Sequence, residues 1–132
     1  MKESTFRMAL AVFLCFASAT LSAAEFDGSK PLLCATIDAH PCDAGETCLR
    51  ALPSELGAPQ FLRIDFAKKT VAGPQHTTPI RFMQTDEKQI LLQGTEFTFA
   101  WTIVLDTVDG TIGVTLVNRE NALVLFGACT AM

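Results

Sequence analysis

The chain has 132 residues, 49 % of them hydrophobic and 18 % charged, with a formal charge of −4. An acidic chain without Lys/Arg clusters is unsuited to nucleic acid or to an anionic membrane surface. Its size bounds it to one packed domain.

The first residues are positively charged, with Lys2 and Arg7. An apolar run from Met8 to Ala17 follows, and then a small-residue exit, SATLSAA. That order reads as a secretory signal peptide over residues 1–24. The apolar run falls far short of the ~20 residues that a spanning helix needs. Ser22 and Ala24 place small residues at −3 and −1 for cleavage before Glu25, with Ala17 and Ala19 as an earlier site. Cys15, behind Phe13 and Leu14, lacks the small neighbours of a lipobox. Without Lys2, Arg7 and Glu3 the mature chain keeps 8 basic and 13 acidic residues, a charge of −5. It is expected to be periplasmic or secreted, in an oxidising compartment, with no membrane span after cleavage.

Residues 25–31 read as a flexible lead-in and residues 32–132 as a single β domain. From Leu32 onward short apolar runs are separated by turn residues, the spacing of strands rather than helices. Strands are expected near Leu32–Asp38, Thr47–Leu52, Phe61–Phe66, Ile80–Thr85, Gln89–Gln93, Phe97–Asp106, Thr111–Asn118 and Ala122–Thr130. Pro41–Glu46 and Gly73–Pro79 read as loops. Pro53–Gln60 reads as a turn or one helical turn, with Ser54 as its N-cap. Asp86–Glu87, Asp109–Gly110 and Asn118–Asn121 read as hairpin turns. Asp-Gly between apolar strands is the strongest of these signals.

Phe97, Phe99, Trp101, Ile103 and Leu105 alternate with polar or small residues and are expected to share the buried face. The last strand is apolar on both faces, which suits a central position or a covered edge. Successive strands with short turns and no helical period predict an all-β antiparallel meander of about eight strands closing into a barrel. A two-sheet β-sandwich is the alternative. Closure of the barrel sets the first strand beside the last.

Removing the signal leaves four cysteines, which allow three pairings. Cys42 and Cys48 bracket a short polar loop and suit a local bridge. Cys34 and Cys129 lie on the first and last strands, which a closed sheet brings together, so they are expected to form the second bridge. Cys34, His40, Cys42 and Cys48 match no standard zinc spacing, and no metal or other cofactor is expected. No nucleophile elbow or HExxH motif occurs, and no catalytic residue is assigned. Asp106 and Asp109 precede Gly110 without the full calcium-loop spacing. His76 stands in a Gly/Pro loop and reads as a solvent histidine.

From Cys34 to Cys129 the chain resembles a group of small exported proteobacterial proteins of unknown function. The matching pieces include C-A-T at Cys34–Thr36, C-x5-C at Cys42 and Cys48, FLRIDFAKKT over Phe61–Thr70, ILLQG over Ile90–Gly94, AWTI over Ala100–Ile103 and FGACT over Phe126–Thr130. The resemblance implies a bacterial periplasmic or secreted protein and brings no activity. In size and architecture the chain is also similar to the periplasmic lysozyme inhibitors, an analogy of fold that carries over no residue.

The function expected is a non-enzymatic binding or interaction module, of which a lysozyme inhibitor is one type. Its acidic balance suits a basic protein of the envelope or the exterior. The binding loop expected is that of His40, Asp43 and Glu46. The alternatives are a small apolar-ligand carrier, with a cavity at Trp101, Phe97 and Phe99, and an enzyme of unrecognised class.

Overall fold

The computed structural model describes residues 25–132, so the expected signal peptide lies outside the described residues. The strands are β1 (Leu32–Asp43), β2 (Phe61–Asp65), β3 (Thr70–Ala72), β4 (Thr77–Pro79), β5 (Phe82–Thr85), β6 (Gln89–Glu96), β7 (Phe99–Asp106), β8 (Thr111–Val117) and β9 (Asn121–Ala131). All belong to one antiparallel sheet in the order β4-β3-β2-β1-β9-β8-β7-β6-β5. The sheet curls into a half-barrel. The all-β meander is therefore the fold, and a single sheet replaces the sandwich alternative.

First and last strands do meet. β1 pairs with β9 along almost its whole length, and Cys34 lies opposite Cys129. The disulfides are Cys34–Cys129 and Cys42–Cys48. β9 is central, between β1 and β8, as its two apolar faces require.

The break in the ring falls instead between β4 and β5, which are consecutive in the chain and lie at opposite edges of the sheet. Ile80 N–H donates to the Lys69 carbonyl on the β3 side, and Arg81 N–H donates to Gln93 on β6. Within two residues the chain has changed partners. Pro79, with no N–H to give, ends the first ladder. β5 keeps a free edge, and its four-residue length limits the template it offers to other chains.

Several local expectations are corrected. Pro41, Cys42 and Asp43 are not loop; they extend β1 and pair with Leu123, Ala122 and Asn121. The strand expected at Thr47–Leu52 is reduced to one bridge, Ala39 to Ala51. Cys48 is tethered to Cys42, and Pro53 lacks the N–H that would carry a ladder onward. An Arg50–Asp38 ion pair holds the segment against β1. Ser54 is not an N-cap: the 3-10 turn Pro53–Leu56 starts after Leu52, whose N–H donates to Glu55 Oε2 at 3.0 Å. The loop expected at Gly73–Pro79 ends in β4, and β3 was not anticipated. Both strands have only three residues, too few for alternation to be legible. The three hairpin turns stand where expected, between β5 and β6, β7 and β8, and β8 and β9.

The core follows the alternation. Leu32, Ile64, Ile90, Leu92, Ile103, Leu105 and Leu125 are essentially inaccessible. In the lead-in, Phe26 packs against this core and against Gly110.

A bulge at Ile37 resets β1: Thr36 faces Gly127 and Asp38 faces Phe126. Leu32, Cys34 and Thr36 point inward before it and Ala39 after it, while Ile37 is left exposed. The bulge presses β1 onto β9 at Gly127, where a Cβ would sit 2.0 Å from the Ala35 carbonyl oxygen. The atoms it would meet are all β1 backbone, with no soft side chain to yield. Gly127→Ala is expected to destabilise the fold by ~3 kcal/mol, read as a lower urea midpoint.

Candidate functional site

The loops divide between two ends of the half-barrel. At one end lie the lead-in and the β5–β6 and β7–β8 turns. Their aspartates are engaged in turn chemistry. Asp109 accepts the Thr111 N–H and hydroxyl, and those two bonds hold its carboxyl below the usual range. Asp27 is lowered in the same way by Ser29. Asp106 accepts from Val108 and Asp109. Among the described residues, no group of three or more His, Cys, Asp or Glu could hold a metal ion.

The other end carries the site. Three stretches far apart in sequence converge there: residues 54–62, residues 71–78 and the β6–β7 hairpin. Between them runs an open groove of about 570 Å³. One wall is Pro59, Phe61 and Leu62; the opposite wall is Phe97, Phe99 and Leu116. Pro74 and His76 form the lip, Thr78 lies deeper, and Glu96 supplies the one carboxylate among the described lining residues. A narrow chamber of about 40 Å³ continues below, between Trp101, Ile103, Val114 and Leu125.

Two buried threonines set this geometry. Thr36 Oγ1 donates to the Pro59 carbonyl at 2.6 Å, and Thr36 N–H donates to Gln60 at 2.9 Å, so the bulged part of β1 carries the first wall. Thr78 Oγ1 donates to the Thr95 carbonyl at 2.9 Å and draws β4 onto β6. Both hydroxyls are satisfied, as burial requires. Sequence reading missed both, because a threonine inside a strand carries no signal of its partner.

Gly94, opposite Trp101 on β6, leaves room for the indole. A Cβ there would lie 2.2 Å from Trp101 Cζ2 and 2.8 Å from the Pro79 carbonyl oxygen. Trp101 is buried at 5 % exposure, and its Nε1 has no hydrogen-bond partner among the described residues.

Phe97 departs from the expected buried face. β6 ends at Glu96 and β7 starts at Phe99, so Phe97 opens a two-residue turn. Its φ is 52°, a left-handed conformation uncommon outside Gly, Asn and Asp, and it is 80 % exposed. The His76 ring meets it edge-on at 5.0 Å. Phe99 is half-buried in the groove wall, and Trp101 lies deeper. The three aromatics thus descend from the lip to the chamber.

The residues of the expected binding loop lie away from the groove. His40 is on β1 and sets its ring against Phe126 on the outer face of the sheet, at 5.9 Å. Asp43 ends β1, and Glu46 closes the following turn through its N–H to the Asp43 carbonyl. None of the three lines the groove. No described helix is long and apolar enough to cross a membrane. No family model, curated protein or solved structure matches the chain.

Proposed function

We propose that the protein is an exported, non-enzymatic binding module that holds a segment of another protein in the groove at the barrel mouth. The observation that carries the reading is the contrast between interior and rim. The core is filled by its own side chains, leaving a chamber of only about 40 Å³, whereas the rim is open, aromatic and about 570 Å³ in volume. The interior chamber has no room for a drug-sized guest, and a preorganised groove binds a protein segment with little ordering cost. Phe97 supports this: an exposed aromatic in left-handed backbone costs of order 1–3 kcal/mol, and such strain clusters at functional sites. The two disulfides suit an oxidising compartment, periplasmic or extracellular. The acidic mature chain suits a basic partner, and a lysozyme is the first one to try.

The test is capture of a partner from envelope extract by wild type and by the double variant Phe97→Asn, Phe99→Ser. Asn tolerates left-handed backbone, so the turn is kept. The variant is expected to bind about tenfold more weakly or worse, since central aromatic anchors dominate interfaces. Equal capture by both proteins would move the site elsewhere. Turnover of a substrate by the purified wild type would overturn the non-enzymatic part.

One observation favours the second reading, a small-ligand carrier. Trp101, whose indole N–H has no partner among the described residues, borders the chamber beneath the groove and suits a groove ligand that reaches it with one hydrogen-bond acceptor. A stoichiometric small molecule released on denaturation would favour the carrier.

A further inference from the structure

We infer that the groove takes a lysine or arginine side chain of a basic protein, its aliphatic stem lying on Phe97 and Phe99 and its cationic head meeting Glu96. The inference rests on the reading of the groove as a protein-binding site and adds the chemistry of the occupant.

Glu96 is the key residue. It follows Ile90, Leu92 and Gly94 on the inward face of β6, so alternation turns its side chain toward the mouth of the barrel. It is half-buried and borders both the groove and the chamber beneath. Among the described residues it has no ion pair and accepts no hydrogen bond. A carboxylate beside apolar surface gains a charge-assisted contact when a cation meets it. None of the described residues lining the groove or the chamber is lysine or arginine. Apart from His76, whose ring meets Phe97, the described lining holds no basic residue, so a cation from outside the chain finds Glu96 unengaged.

The surroundings fit a long cationic side chain better than a bare ion. A single carboxylate is no metal site, and no metal-binding group was found among the described residues. Phe61, Phe97 and Phe99 line the groove, and aromatic rings attract ammonium and guanidinium groups. Lysine and arginine also have apolar stems that bury well on such surfaces while the head stays at the polar rim. The two-residue turn places Phe97 directly beside Glu96, with His76 bracing the ring from the other lip. The groove has room for the side chain and some neighbouring backbone. At longer range, the net charge of −5 on the mature chain draws a basic protein toward it.

The test uses a blocked alanine–lysine–alanine peptide, its norleucine counterpart and n-butylamine. Each is titrated into the wild-type protein and into Glu96→Gln, at low and at high salt. The readouts are the Trp101 indole N–H resonance and the amide resonances of the β6–β7 hairpin. The lysine peptide is expected to shift these signals and to weaken by about tenfold on Glu96→Gln and again on adding salt. The norleucine peptide is expected to bind about tenfold more weakly than the lysine peptide to wild type, and equally to both proteins. Equal binding of both peptides, indifferent to Glu96→Gln, would overturn the cationic occupant and leave the groove a protein-binding site of apolar preference. Butylamine binding as tightly as the lysine peptide would make the occupant a free amine and overturn the protein segment. Silence of all three probes would overturn this inference, while the fate of the groove itself is read from capture by the Phe97/Phe99 double variant. Amide shifts of Glu96→Gln that stay native outside the hairpin show that it is folded.

Discussion

Replacing Cys34 and Cys129 by alanine is expected to lower stability by about 4–5 kcal/mol, the largest single loss in this protein. The bridge closes a loop with a sequence separation of 95, nearly the whole domain. In the chain-entropy model the cost of opening such a loop grows with its length, because the untethered unfolded chain gains more conformations. The Cys42–Cys48 bridge spans a separation of only 6, and its removal is expected to cost about 2 kcal/mol. A domain of this size has about 5–15 kcal/mol in hand, so losing the long bridge removes much of it. Urea unfolding of the two double variants decides the ranking. Equal losses would mean that the unfolded state keeps β1 beside β9 without the bond.

Truncating Trp101 to alanine is expected to cost roughly 3–5 kcal/mol, the range for a large aromatic lost from a packed core. The indole lies on Gly94 and is walled by Ile103, Val114 and Leu125. Trp101→Phe is expected to cost less, because it also removes the one indole N–H that lacks a partner. As the sole tryptophan, it reports its own surroundings. The emission of the folded wild type is expected to be blue-shifted and poorly quenched. A red-shifted, freely quenched signal would place the indole in solvent and contradict the packing.

How much of this was legible depended on the range of the interaction. Alternation in FTFAWTIVLD put Trp101, Ile103 and Leu105 inside, and the structure agrees. It failed at Phe97 because β7 starts two residues later, and a turn residue is not bound by the strand period. Asp-Gly and the Asx residues at Asp86 and Asn118 marked the turns, because their side chains bond their own backbone. The disulfides were legible through topology: a closed meander must bring its first and last strands together.

The amino-acid sequence by itself determined strand character, turn positions, the inward faces of the long strands and the pairing of the cysteines. These rest on side-chain period, on local hydrogen bonding and on the meeting of the first and last strands. Tertiary structure alone decided that β1 runs on through Pro41, that Ile37 bulges, that the ring opens at β4 and β5, and that the groove exists at all. Its walls come from residues 54–62, 71–78 and 96–99, and no local pattern connects them. Curvature of the sheet and the two buried threonine bonds bring them together. Register and curvature are summed over the whole sheet, so the gathering of Glu96 and three phenylalanines around one groove belongs to the fold and not to any one segment.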